Sequence, residues 1–125
     1  MHEYLGLDVH GATLGLIGHG QIARAVARRA RGFDTRVLHH SRTSPDSVPL
    51  APLVAESDIA SLHVPHTPQT HHLIGAEELA AMNPTATLVN TARGGVVDEA
   101  ALLDAVTRRA WTSSTGNRWS RTSPR

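Results

Sequence analysis

The stretch TLGLIGHGQIARAVARRA, residues 13–30, decides the fold. Residues 13–18 form a short apolar run that ends in glycine, the pattern of a strand buried on both faces of a parallel sheet. From Gln21 the pattern turns helical. Ile22, Ala25, Val26 and Ala30 fall on one stripe, and Arg28, Arg29 and Arg31 gather near its end, where the helix dipole favours cations. Between strand and helix stand Gly18, Gly20 and Ala23, a G-x-G-x-x-A spacing. In such a turn the first glycine permits the tight bend, and the second lets backbone approach a pyrophosphate at the helix N-terminus. The third position needs only a small residue for close packing of helix on strand. The spacing by itself is a weak signal, and a glycine turn that holds no ligand stays open. The strand before it and the helix after it are the context that a dinucleotide site requires.

A dinucleotide fold next needs the residue that reads the adenine ribose, about 20 positions on, at the end of the second strand. TRVLHH, residues 35–40, is that strand, and it ends in Ser41, Arg42 and Thr43. An acidic residue there would bond the 2′-hydroxyl of NAD. A hydroxyl beside a guanidinium suits a 2′-phosphate instead, through charge-assisted hydrogen bonds. The expected cofactor is therefore NADP(H), with NAD(H) the alternative.

The same alternation continues outward. SRTSPDSVPL (41–50) is a loop punctuated by Ser and Pro, LAPLVAES (50–57) a short helix and DIASLHV (58–64) a third strand. PHTPQT (65–70) is a Pro-rich loop, GAEELAAM (75–82) a helix and ATLVNT (86–91) a fourth strand. A glycine loop, ARGG, then leads into a helix over 97–106, with Asp98 placed to cap it. Strands alternating with helices imply parallel pairing, so the expected fold is α/β: a Rossmann-type doubly wound sheet of about four strands, incomplete, with an irregular C-terminal tail.

Composition fits one soluble globular domain. Of 125 residues, 40% are apolar and 18% charged, and the net charge of +1 gives no argument for nucleic acid. The absence of cysteine excludes thiol chemistry and suits a reducing compartment. No apolar run nears the roughly 18 residues of a membrane span. The opening MHEYLGLDVHG lacks the basic-then-apolar pattern of a signal peptide, so a cytoplasmic location is expected. Nine histidines include the pairs His39-His40 and His71-His72. Strand neighbours such as His39 and His40 point to opposite faces, no H-E-x-x-H occurs, and no metal site is expected.

Residues 5–27, 61–82 and 86–102, which contain GLIGHGQIARAV, HVPHTPQT and NTARGG, resemble the D-isomer-specific 2-hydroxyacid dehydrogenases, in particular the glyoxylate/hydroxypyruvate reductase and phosphoglycerate dehydrogenase branch. The resemblance implies hydride transfer between a nicotinamide and a small 2-keto or 2-hydroxy acid. It assigns Arg93 the catalytic task of binding the substrate carboxylate and polarising the keto group. It places Gln21 and Ile22 at the pyrophosphate, Val64, Pro65 and Thr70 on the adenosine and ribose side, and Thr91 and Ala92 beside the nicotinamide. Ser41 stands where NAD-specific members have Asp.

The chain also departs from that family. The family's substrate domain, its Gly-Leu-Asp-Val strand, its catalytic Glu and its Pro-His are not among these residues, so activity of the chain alone is not expected. Residues 1–106 read as the nucleotide-binding domain. Residues 107–125 lose all periodicity and read as a disordered, frameshifted tail. GC-rich codons for RAWTSSTGNRWS, regrouped by one base, spell Gly-Leu-Asp-Val-Phe-Asp-Gly-Glu-Pro-Val. Arginines and tryptophans in this tail would suit a nucleic-acid arm, but the frameshift accounts for them without one, and neither nucleic acid nor membrane is an expected partner. The rival function is a non-catalytic nucleotide-binding or regulatory protein, pairing with itself or with a full-length paralogue. An S-adenosylmethionine site is disfavoured, since that class wants an acidic residue where Ser41 and Arg42 stand.

Overall fold

A computed structural model describes residues 9–92 and 94–109. Arg93, the first eight residues and the tail from residue 110 lie outside the described residues. Four strands, β1 (Thr13–Ile17), β2 (Arg36–His40), β3 (Ile59–Leu62) and β4 (Thr87–Asn90), make one parallel sheet in the order β2-β1-β3-β4. The helices are α1 (Gln21–Ala30), α2 (Leu50–Glu56), α3 (Ala76–Ala81) and α4 (Glu99–Arg109). This is a doubly wound order. The chain moves outward from β1 to β2, then crosses back to lay β3 and β4 on the other side of β1.

Two cores follow from the alternation of side chains along β1. Leu14 and Leu16 face α1, whose Ala23, Ala27 and Ala30 are spaced to let the helix lie close on the sheet. Ile17 faces the larger core, where Leu53 and Val54 of α2, Leu79 of α3, Leu62, Leu88, Val96 and Leu102 are all buried. Gly15 makes this second face possible. A Cβ there would collide with the Ser57 hydroxyl and come within 2.7 Å of Leu53, so α2 sits against bare backbone. Ser57 is itself buried, and its hydroxyl donates to the Leu53 carbonyl at 2.6 Å.

The ends of the elements are fixed by polar contacts. Asp58, just ahead of β3, accepts the Thr13 amide at 2.8 Å and ties the starts of β1 and β3 together. Glu78 reaches back to the Gly75 amide at the head of α3. Asp98 accepts the Ala101 amide, the N-cap that the sequence suggests. The last helix continues beyond Val106, where periodicity is lost in the sequence, as far as Arg109. The Thr107 hydroxyl bonds the Leu103 carbonyl, and Arg108 pairs with Asp104 one turn back, so local contacts carry the helix on.

Candidate dinucleotide site

The strand register brings the site residues to one edge. Ile17 pairs with His40 and with Leu62, and Leu62 pairs with Asn90. The residues that follow, Gly18, Ser41, His63 and Thr91, therefore emerge side by side at the carboxyl end of the sheet. The crevice lies at β1 and β3, where the strand order reverses, which is where open α/β sheets take ligands.

Gly18 sits at that point with φ +115 and donates its amide to the His40 carbonyl at 2.8 Å. A Cβ on it would lie 2.5 Å from the His63 carbonyl oxygen and 3.1 Å from Val64. Both its conformation and its surroundings demand glycine. Gly20 is different. Its backbone is extended, at φ −83 and ψ −165, and a Cβ would meet nothing within 4 Å. Nothing among the described residues requires a glycine there. Gly20 caps α1 without a side chain, its carbonyl takes the Arg24 amide, and the amides of Gln21, Ile22 and Ala23 point out of the helix without an internal acceptor. No acidic residue occupies the first turn. Free amides and the positive end of the dipole form a cradle for phosphate oxygens. Ile22 is exposed beside it.

At the end of β2 the loop turns on itself. The Thr43 amide and hydroxyl both bond the Ser41 hydroxyl, and the Ser47 hydroxyl accepts the Ser41 amide. Arg42 is exposed. Past β3, Val64 packs against Gly18, while Pro65 opens a loop closed by Thr70, whose hydroxyl donates to the Pro65 carbonyl at 2.6 Å and accepts the Thr67 amide. Past β4, the Asn90 side chain accepts the Ala92 amide at 2.9 Å, and Thr91 donates its hydroxyl proton to the Leu62 carbonyl at 2.6 Å. The structure thus gathers Gly18, Gly20, Gln21, Ile22, Val64, Thr91 and Ala92 around the crevice, sets Ser41, Arg42 and Thr43 at its β2 end, and uses Thr70 to hold its loop.

Three features escape a reading by motif. His63 bridges the crevice floor, with Nε2 2.8 Å from the Ser61 hydroxyl and Nδ1 3.2 Å from the Thr91 hydroxyl. The single proton of Thr91 goes to Leu62, so Thr91 accepts from Nδ1–H and Nε2 accepts from Ser61. Each partner suits the neutral ring, and burial pushes the His63 pKa down in agreement. His19, between the two glycines, stacks on His39 at 3.9 Å. His66 lies 3.0 Å from His71, which stacks on His72, and its ring covers Gly95, where a Cβ would come within 2.5 Å. The abundance of histidine was visible in the sequence, but not its pairing. Among the described residues no three His, Asp or Glu side chains are arranged to hold a metal ion, and no helix is long and apolar enough to cross a membrane.

Comparison with known proteins agrees with this architecture. Residues 1–114 match the NAD-binding domain of the D-isomer-specific 2-hydroxyacid dehydrogenases. A glyoxylate reductase of Thermococcus gammatolerans is 48% identical over 122 residues, covering 90% of this chain and 36% of the relative. A solved Thermus thermophilus protein superposes with a TM-score of 0.76 at 50% identity, over 82% of this chain and 34% of its own. A D-lactate dehydrogenase of Aquifex aeolicus, complexed with NAD and lactic acid, superposes with a TM-score of 0.79 at 38% identity, over 85% of this chain and 34% of its own. The chain thus spans about a third of the length of the proteins it matches. A sheet that reverses at Gly18 and a helix that opens on free amides at Gly20 are the physical content of that likeness, and the chain belongs to the D-isomer-specific 2-hydroxyacid dehydrogenases as their NAD-binding domain.

Proposed function

We propose that this domain binds NADP(H) in preference to NAD(H), and that it serves the reduction of a small 2-keto acid such as glyoxylate or hydroxypyruvate. Gly20 carries the dinucleotide reading, because the space beside it and the amides beyond it have no use among the described residues. The preference for a 2′-phosphate is supported by Ser41, Arg42 and Thr43, which present hydroxyls and an exposed guanidinium, and no carboxylate, at the end of β2. The substrate class is supported by the relative that is a glyoxylate reductase.

In this reading Gln21 and Ile22 offer their amides to the pyrophosphate. Val64 and Pro65, with the loop that Thr70 holds, line the adenosine and ribose side. Thr91 and Ala92 face the nicotinamide, which when bound supplies the hydride. Arg93, which follows them in sequence, takes the substrate carboxylate in the bidentate manner that guanidinium geometry favours. The 125 residues alone bind cofactor and turn over no 2-keto acid.

A thermal melt of the chain, alone and with saturating NADPH or NADH, tests this. Ligand that binds only the folded state raises its stability by RT ln(1 + [L]/Kd). A transition raised by NADPH more than by NADH is the expected result, and one indifferent to both refutes the reading.

A further inference from the structure

Beside the glycine loop, one face of α1 forms a groove of about 240 Å³ lined by His19, Arg24, Ala27, Arg28 and Arg31. The arginines sit at i, i+4 and i+7, a single helical face, and the buried Ala27 between them gives the groove its floor. We propose that this groove completes the 2′-phosphate site, with Arg24 and His19 contacting the phosphate directly and Arg28 adding field, so that cofactor choice is set from α1 as well as from the loop after β2. The inference rests on the NADP(H) reading above.

Charge is the first argument. Among the described residues Arg36 pairs with Glu56 and Arg108 with Asp104, whereas Arg24, Arg28 and Arg31 make no ion pair. Three like charges on one helix face repel at the i, i+4 spacing. Arg28 and Arg31 at least lie at the C-terminal end, where the dipole favours cations. Arg24 lies in the first turns, where the dipole opposes it. An anion at that end reverses both penalties.

Position is the second argument. The Arg24 Nε donates to the His19 carbonyl at 3.1 Å, which folds the side chain back toward the glycine loop and leaves its terminal nitrogens available. His19 lies flat on His39, with ring planes 10° apart. His39 belongs to β2, and its Nε2 is 2.8 Å from the Ser44 hydroxyl in the loop after that strand. The stack therefore holds the His19 ring against His39, two residues before Ser41 on the strand whose end reads the 2′ position of an adenine ribose. Burial, and then the neighbouring His19, lower the His39 pKa, against a weaker opposite pull from Asp46. His39 thus serves as a neutral platform, and His19 is the member of the pair that lines the groove.

The test is a set of binding titrations on the full chain with NADPH, NADH, 2′,5′-ADP and 5′-ADP, for the wild type and for Arg24→Gln, His19→Asn and Arg28→Gln. The Arg28 side chain makes no hydrogen bond in the described structure, so its variant keeps the test open should Arg24→Gln disturb the loop. Loss of a charge-assisted contact should weaken NADPH and 2′,5′-ADP about tenfold or more in Arg24→Gln and His19→Asn. In Arg28→Gln the loss should be smaller, roughly two- to threefold, and should vanish at high salt. NADH and 5′-ADP should stay within about twofold throughout. A wild type that prefers NADPH, with variants that all keep the wild-type ratio of NADPH to NADH affinity, overturns the groove and leaves the NADP(H) reading standing. A wild type that binds the two cofactors equally, or binds neither, overturns both.

Discussion

Gly18 and Gly20 are two residues apart in one motif, yet the structure gives them opposite reasons for being glycine, and replacing each by alanine separates folding from binding. In Gly18→Ala the new Cβ meets the His63 carbonyl oxygen at 2.5 Å and its carbon at 2.9 Å, with φ held at +115. A non-glycine residue in so sparsely populated a region costs about 1–3 kcal/mol, and forcing β1 and β3 apart costs a similar amount, together roughly 2–6 kcal/mol. For a domain of about 100 residues each kcal/mol moves the melting temperature by roughly 4–8 °C, so Gly18→Ala should melt at least about 10 °C lower or fail to fold. Gly20→Ala adds a methyl that touches nothing, at dihedrals any residue adopts. Alanine is a poorer N-cap than glycine, but the stiffer unfolded chain offsets this, and the net change should stay within about 1 kcal/mol. Its effect should fall on the ligand. A methyl in the phosphate cradle forfeits one charge-assisted hydrogen bond or more, a loss of roughly ten- to hundredfold in dinucleotide affinity. Differential scanning calorimetry and a fluorescence titration with NADPH read the two effects separately. A Gly20→Ala chain that binds NADPH like the wild type, or melts as early as Gly18→Ala, refutes the reasoning.

Three further outcomes are expected. Gly15→Ala should lower stability by about 1–3 kcal/mol through its collision with Ser57 and Leu53; adding Ser57→Ala, which removes the clashing oxygen, should raise the melting temperature of the single variant, and a double variant that melts lower still would show that the clash lies elsewhere. Asp98→Ala should cost about 0.5–2 kcal/mol by freeing the Ala101 amide at the head of α4, measured as a shift in urea midpoint with the slope unchanged. Burial lowers the His63 pKa in the fold, so on acidification the unfolded chain takes up its proton first; stability should be whole above about pH 7 and fall as pH drops below about 6.5. His39 is lowered too and contributes with the same sign. Melting temperatures between pH 5 and 8 should therefore decline less steeply toward acid in His63→Asn than in the wild type, and equal slopes would remove His63 from the account.

What could be read in the sequence, and what could not, divides along the range of the interactions. The glycine loop, the four strands and their helices are local patterns. Apolar runs of strand length state themselves within a dozen residues, and β1 to β4 fall within the stretches that the pattern marks. The stripe expected on α1 is misplaced: Ile22 is exposed, and the small residues Ala23, Ala27 and Ala30 form the face that packs on the sheet. The Asp98 cap is local as well. The His19–His39 stack joins positions 20 apart, and the His63–Thr91 contact joins positions 28 apart. No periodicity encodes either one, because it is the register of β1 against β2 and of β3 against β4 that sets those rings and hydroxyls side by side. The helix that runs on to Arg109 shows the reverse case. A change of composition after Val106 signals an end, while two side chains bonding one turn back keep the backbone helical.

The strand order also indicates which part of the chemistry this domain can hold by itself. Gly18 leaves β1, and β1 has a hydrogen-bonded neighbour on each side. The groups that shape the crevice floor, His63, Val64 and Thr91, come from β3 and β4, and those that set its far end, His39 and Ser41, come from β2. All four strand ends are therefore needed to form the dinucleotide crevice, and all four are present and in register. Cofactor binding is built into the described sheet as a backbone property: a tight turn, free amides and a close approach of β1 to β3. On the proposal above, choice between cofactors falls to side chains of the glycine loop, of α1 and of the loop after β2, namely His19, Arg24 and Arg42. The two should respond independently, so that substitutions on α1 and in the loop after β2 alter which dinucleotide binds, while substitutions at Gly18 and Gly20 alter whether any does.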